Sequence, residues 1–150
     1  MTDFGDPRFE QLGMLIEAHD SVIAALSTDL ADSSDLPIAF FGVLIRLGRS
    51  PGEQLRMTQL AHEMSISTSG LTRLVDRMET AGLVERRPCP GDGRGLMAAL
   101  TPGGRRRLDD AVPLHLAQIE HRFTQHLSAA DLATLTSLLR TVRDGVREQS

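Results

Sequence analysis

The sequence predicts a mainly α-helical fold with a minor β component, six helices and one hairpin. Three observations carry that expectation. Apolar residues recur every three or four positions over most of the 150 residues, the period of an amphipathic helix. Two such stretches are joined by only Ser65, Ile66 and Ser67, a helix-turn-helix spacing. Strand-like alternation is confined to residues 83–100 and is interrupted by Pro88, Cys89, Pro90, Gly91, Asp92 and Gly93, a run expected to be irregular. Together these describe a winged helix-turn-helix lobe at about 36–101 between long terminal helices at about 8–31 and 102–147, all within a single domain over 1–150.

Each element has its own justification. Phe9, Leu12, Ile16, His19, Ile23, Leu26 and Leu30 step by 3 and 4 until Asp32, Ser33 and Ser34 break the pattern, giving a long first helix with a partner-seeking stripe. Pro37 suits the first turn of a second helix. That helix is apolar nearly all round through Ile38, Phe40, Phe41, Leu44, Ile45 and Leu47 before Gly48, Ser50, Pro51 and Gly52, so it belongs in the core.

Thr58 is expected to cap a short third helix whose Leu60, Ala61 and Met64 face inward, and Ile66 to anchor the turn that follows. Ser67 then caps a fourth helix, with Leu71, Leu74, Val75 and Met78 buried and Thr72, Arg73, Asp76 and Arg77 outward. Gly82 closes it where a left-handed residue is easiest. Strands at 83–87 and 96–100 form the wing, and Thr101 with Pro102 opens a fifth helix reaching Leu127, kinked or broken near Pro113. Ser128 and Asp131 resemble a capping box for the last helix, striped by Leu132, Leu135, Leu139, Val142 and Val146.

Composition narrows the classes of function. No apolar run approaches the ~18 residues of a membrane span, and the acidic, Gly-containing start does not read as a signal peptide; a cytoplasmic protein is expected. The single cysteine, Cys89, leaves no internal disulfide framework. Net charge is −4, yet residues 68–107 hold eight arginines against four acids, a local +4 that leaves −8 elsewhere. A basic face on an acidic body is the electrostatic footprint of nucleic-acid binding.

The run MTQLAHEMSISTSGLTRLVDRMETAGLVERRPCPGDGRGLMAALTPGGRRRL resembles the winged-helix core of the multiple antibiotic resistance regulator (MarR) family. Three pieces carry the resemblance: LTRLVDRMETAGLVERR, the wing signature of Asp92 and Arg94 followed by Leu100 and Thr101, and Thr-Pro-Gly-Gly-Arg opening the next helix. It implies a homodimer with interlocked terminal helices, two lobes that bind double-stranded DNA, and often a small-molecule or oxidant-responsive site. A small aromatic or phenolic effector is the expected ligand class, and repression of transcription the expected mode.

The residues support the same reading physically. A major groove about 12 Å wide admits one helix, whose N-terminal end brings short side chains to base edges and phosphates. Ser67, Thr68, Ser69 and Thr72 fit that place, and Arg73 and Arg77 can reach guanine edges or the backbone. Arg94 at the wing suits the minor groove, with Asp92 holding it in position. Of Arg86 and Arg87, adjacent on a strand, only one is expected to face DNA, and Arg86 is the candidate. An effector pocket would draw on His19, Phe40, Phe41, Leu44 and His115, although with no Trp or Tyr and helix faces this apolar, structural core is the better default for each.

Other readings are weaker. His62 and Glu63 begin an HExxH zinc motif, but the second histidine is replaced by Ile66. His115, His121 and His126 are spaced by six and five, which spreads them round a helix instead of gathering metal ligands on one face. No metal, cofactor or catalytic constellation is expected, and Cys89 lacks a resolving partner for redox sensing. The alternative that survives is a ligand-sensing or protein-interaction winged-helix dimer without specific DNA binding.

Overall fold

The computed structural model describes residues 4–149. In chain order the elements are α1 (Pro7–Ser34), α2 (Ile38–Arg49), β1 (Gln54–Arg56), α3 (Met57–Glu63), α4 (Thr68–Thr80), β2 (Val84–Cys89), β3 (Asp92–Leu100), α5 (Pro102–Arg122) and α6 (Ala129–Glu148). Short 3-10 turns lie at Pro51–Glu53 and Thr124–His126. The chain divides into two compact units: a lobe, Ser27–His115, and a second unit formed by the chain ends up to Leu26 and from Leu116.

The lobe has one continuous core. Phe40, Phe41, Val43, Leu44 and Leu47 form the buried face of α2, and Leu60, Leu71, Leu74, Val75 and Met78 pack in the same core from α3 and α4. Burying a leucine of this kind contributes about 1.5–3 kcal/mol, so the apolar excess of α2 makes it the lobe's centre. The sheet has order β1-β3-β2, all antiparallel, with Leu55 opposite Ala98 and Val84 opposite Leu100. Ala98, Ala99 and Leu100 are buried where β3 runs between its two neighbours.

Local chemistry sets the joints. Helix α3 ends on Ser65, whose φ of 54° is left-handed, and Ile66 N–H donates to Ala61 O at 3.1 Å. Helix α4 ends the same way, with Gly82 at φ 70° and Leu83 N–H donating to Met78 O at 3.0 Å. Both are Schellman closures. Thr101 Oγ1 accepts from Gly104 N–H at 2.9 Å and donates to Gly82 O at 2.6 Å, so one hydroxyl caps α5 and ties it to the end of α4. Gly104 must be glycine, because a Cβ there would lie 1.9 Å from Leu83 O. Ser128 caps α6 by accepting from Asp131 N–H at 3.2 Å and donating to its carboxylate at 2.6 Å.

Several expectations are corrected. Strand β1 was not foreseen; it runs straight into α3, so Arg56 and not Thr58 occupies the N-cap position. Pro37 likewise precedes α2 as its N-cap residue. Ile66 is 38% exposed and does not anchor its turn; the backbone closure above does that work. The wing strands are longer than expected and only Pro90 and Gly91 turn, Gly91 taking φ 75°. Pro88 is tolerated because β2 is an edge strand and its pairing shifts register at Pro88 and Cys89.

Helix α5 is not broken at Pro113. Pro113 lies on its exposed side, opposite Leu108 and Ala111, where the carbonyl it deprives of a partner meets water. The helix ends at Arg122, short of Leu127, because Phe123 leaves helical geometry at φ −134°, ψ −67°. At the other end of the chain, α1 continues through Asp32, Ser33 and Ser34.

The second unit is built differently. Of the large apolar residues exposed among those described, all but Ile66, Leu96 and Leu114 belong to the chain ends. Phe9, Leu12 and Ile16 of α1 are at least 50% exposed, as are Leu138, Val142 and Val146 of α6. Uncovered stripes of this extent are not surfaces a lone chain ordinarily presents to water.

Candidate nucleic-acid interface

Helix α4 begins where Ser67 leaves extended backbone, and the Ser67 hydroxyl accepts from Gly70 N–H at 3.0 Å. Its Oγ also lies 3.2 Å from that of Ser69. With Leu71, Leu74, Val75 and Met78 turned inward, the 3.6-residue period leaves Thr68, Ser69, Thr72, Arg73, Asp76 and Arg77 on one exposed face. The Thr72 hydroxyl donates to Thr68 O at 2.9 Å and keeps its lone pairs outward as an acceptor.

The arginines on this face are not equivalent. Arg73 has no carboxylate partner among the described residues. Arg77 places its guanidinium carbon 5.2 Å from the centroid of the Phe40 ring, a cation–π contact that limits where the side chain points while leaving its N–H groups able to donate.

Arg86, expected at the DNA, makes its contacts within the lobe. Its guanidinium bonds Glu79, reaches Asp76 Oδ1 at 2.7 Å and donates to Thr72 O at 3.1 Å, while its backbone N–H donates to Glu79 Oε1 at 2.8 Å. The side chain is 20% exposed. Its geometry is that of a clamp fastening β2 to α4, with few donors left for a phosphate. Arg87, exposed, pairs with Glu85 beside it.

At the wing, Asp92 Oδ1 accepts from Arg94 N–H at 3.1 Å and Oδ2 accepts from Arg56 Nη1 at 3.0 Å. The Arg94 amide first, and the Arg56 guanidinium second, hold the Asp92 carboxyl below its ordinary range. Asp92 therefore grips the backbone of Arg94 and not its guanidinium, which has no carboxylate partner among the described residues. Gly95 leaves room for this arrangement: a Cβ there would lie 2.8 Å from Asp92 Oδ2 and 3.0 Å from Cys89 Cβ. Cys89, the last residue of β2, is buried within the wing with its Sγ 3.6 Å from Met97 Sδ. Between α4 and the wing lies an open cleft of about 540 Å³ bordered by Thr72, Asp76, Arg86, Arg56, Asp92 and Arg94.

The residues expected around an effector are divided between the two units. Phe40, Phe41 and Leu44 are members of the lobe core. His115 is buried with its ring 4.4 Å from that of Phe41. His19 belongs to the second unit, is exposed, and sets Nδ1 2.9 Å from Asp20 Oδ1. Sequence reasoning missed Arg56. Its only signal was the polar-apolar-polar alternation of Gln54, Leu55 and Arg56, too short to read as a strand.

The sequence profile described as the MarR family matches residues 34–95, from the end of α1 to the wing. The multiple antibiotic resistance protein MarR of Escherichia coli is 30% identical over 131 residues, covering 87% of this chain and 90% of that protein. The chain belongs to the MarR family. The same kinship appears in three dimensions: AbsC, a MarR family transcriptional regulator from Streptomyces coelicolor, superposes with a TM-score of 0.89 at 28% identity over 99% of each chain. Another MarR family regulator from that organism, solved in complex with DNA, gives 0.88 at 30% identity, covering 97% of this chain and 91% of its own. A mutant Escherichia coli MarR complexed with operator DNA gives 0.79 at 30%, covering 94% and 99%. Among the described residues no helix is long and apolar enough to cross a membrane.

Proposed function

We propose that the chain is a sequence-specific DNA-binding transcription regulator of the MarR family that acts as a homodimer on a pseudo-palindromic operator and represses the genes behind it. The observation that carries the reading is the pairing of two arginine-bearing elements in one lobe. Helix α4 offers Thr68, Ser69, Thr72, Arg73 and Arg77 on a single exposed face, and the wing offers Arg94 with its charge uncompensated. A helix of this kind reads major-groove edges and a wing arginine suits the minor groove beside it. Ser67 serves the interface by capping α4, and Arg86 by holding it to the sheet.

Dimerisation supplies the second half. The uncovered stripes of α1 and α6 fit a second copy of the chain, and a two-fold dimer reads two half-sites about one helical turn apart. The protein works in the cytoplasm, with its DNA, and a small aromatic or phenolic effector releases it. Selection of bound duplexes from a random pool tests the reading. Enrichment of a pseudo-palindrome, bound with steep salt dependence, supports it; weak and sequence-indifferent binding favours the alternative of a winged-helix sensor that does not read DNA.

A further inference from the structure

We propose that Arg56 is a positioning residue for the wing: by taking one oxygen of Asp92 it fixes the backbone that carries Arg94 and keeps the Arg94 charge free for DNA. The inference rests on the DNA-binding reading above. Arg56 is the last residue of β1, opposite Met97 in the sheet, and also the N-cap residue of α3. Its main chain is thus held from both sides before its side chain does anything. From this fixed base Nη1 donates to Asp92 Oδ2 at 3.0 Å, across 36 residues of sequence.

The other oxygen of Asp92 accepts the Arg94 amide at 3.1 Å. The result is a chain of contacts running from β1 through Arg56 and Asp92 to the backbone of Arg94, with Gly95 making room for the carboxylate. Charge follows the same route. Asp92 lies two residues from Arg94 and is the acid best placed to neutralise it; engaged by Arg56 and by an amide, it does not. Arg56, Asp92 and Arg94 together leave a net positive charge at the wing, where Asp92 and Arg94 alone would leave none.

The test uses the full-length dimer and the duplex recovered by selection, with binding read by fluorescence anisotropy at fixed salt. An exposed ion pair of this kind is worth about threefold per wing, so Arg56→Met is expected to weaken operator binding about tenfold for a dimer with two wings. Arg56→Lys restores most of the loss. In an Arg94→Ala background Arg56→Met changes the dissociation constant by less than about twofold, because the arginine it positions is gone. Equal losses in both backgrounds overturn the proposal, since Arg56 then touches DNA itself or acts elsewhere. Backbone ¹⁵N relaxation of the free protein separates this claim from the reading it rests on. Arg56→Met is expected to raise the mobility of the Arg94 and Gly95 amides; unchanged mobility overturns the Arg56 proposal. Raised mobility in a protein that selects no DNA sequence upholds the wing linkage and defeats the DNA reading instead.

Discussion

Arg86 Nη2 lies 2.7 Å from Asp76 Oδ1, which joins β2, the first strand of the wing, to the outward face of the helix that carries Arg73 and Arg77. The same guanidinium bonds Glu79 and the carbonyl of Thr72, so three points along α4 are tied to one side chain. Arg86→Ala is therefore expected to destabilise the lobe by about 1–3 kcal/mol, since charge-assisted bonds to a mostly buried guanidinium are lost together. Chemical denaturation measures it. An unchanged midpoint would show that the clamp holds nothing.

Arg73→Ala and Arg94→Ala should behave in the opposite way. Neither guanidinium has a carboxylate partner among the described residues, so the unfolding free energy stays within about 0.5 kcal/mol of the parent. Operator affinity falls, by about 1–3 kcal/mol for a base-reading arginine. Anisotropy titration beside denaturation separates the two classes of arginine; full affinity in both variants would remove α4 and the wing from the interface.

Asp92 sets a pH dependence whose sign is fixed. Its carboxyl is held below the ordinary range in the folded protein, by the Arg94 amide and then by Arg56. The contribution is complete above the unfolded value of about 4 and is lost as pH falls through the lowered folded value. Wing mobility should not change from about pH 8 down to 6 and should rise only in strongly acid solution. Asp92→Asn should show raised mobility already at neutral pH. ¹⁵N relaxation of the Gly93 and Arg94 amides follows both.

Gly104→Ala tests the joint between the lobe's sheet and α5. The added Cβ would stand 1.9 Å from Leu83 O, which the backbone can relieve only by moving the start of α5. A loss of about 1–3 kcal/mol or more is expected, measured by thermal unfolding; a neutral variant would mean the helix start is not held by Thr101 as described.

Val142→Asp addresses the terminal stripes. Val142 is 54% exposed in the single chain, so a charge there costs an isolated chain little and a dimer interface a great deal. Sedimentation should show a shift toward monomer and anisotropy a loss of operator binding, while Arg94→Ala remains dimeric. A dimer unaffected by the charge would move the interface elsewhere.

Most of the fold was legible because it rests on periodicity and on caps. The inward residues of α2 and α4, the Ser67 and Ser128 caps and the Gly82 closure all follow from spacing and local chemistry. What escaped depended on distant partners. Strand β1 is three residues long and exists because β3 offers it an edge; no window of sequence contains both. The clamp made by Arg86 escaped because its acids, Asp76 and Glu79, reach it only when β2 packs on α4. The same reason hid Arg56, whose partner Asp92 lies across the lobe's sheet. The outward arginines Arg73 and Arg94, by contrast, could be singled out from sequence because solvent exposure needs no partner.

In a dimer, α4 and the wing together are expected to read a specific duplex. Titrating the full-length protein against the selected pseudo-palindrome and a scrambled duplex of equal length, across a salt series, tests it most directly. At least about a thousandfold preference for the pseudo-palindrome is expected at moderate salt, with a linear fall of log affinity with log salt. Equal affinity for the two duplexes would contradict it.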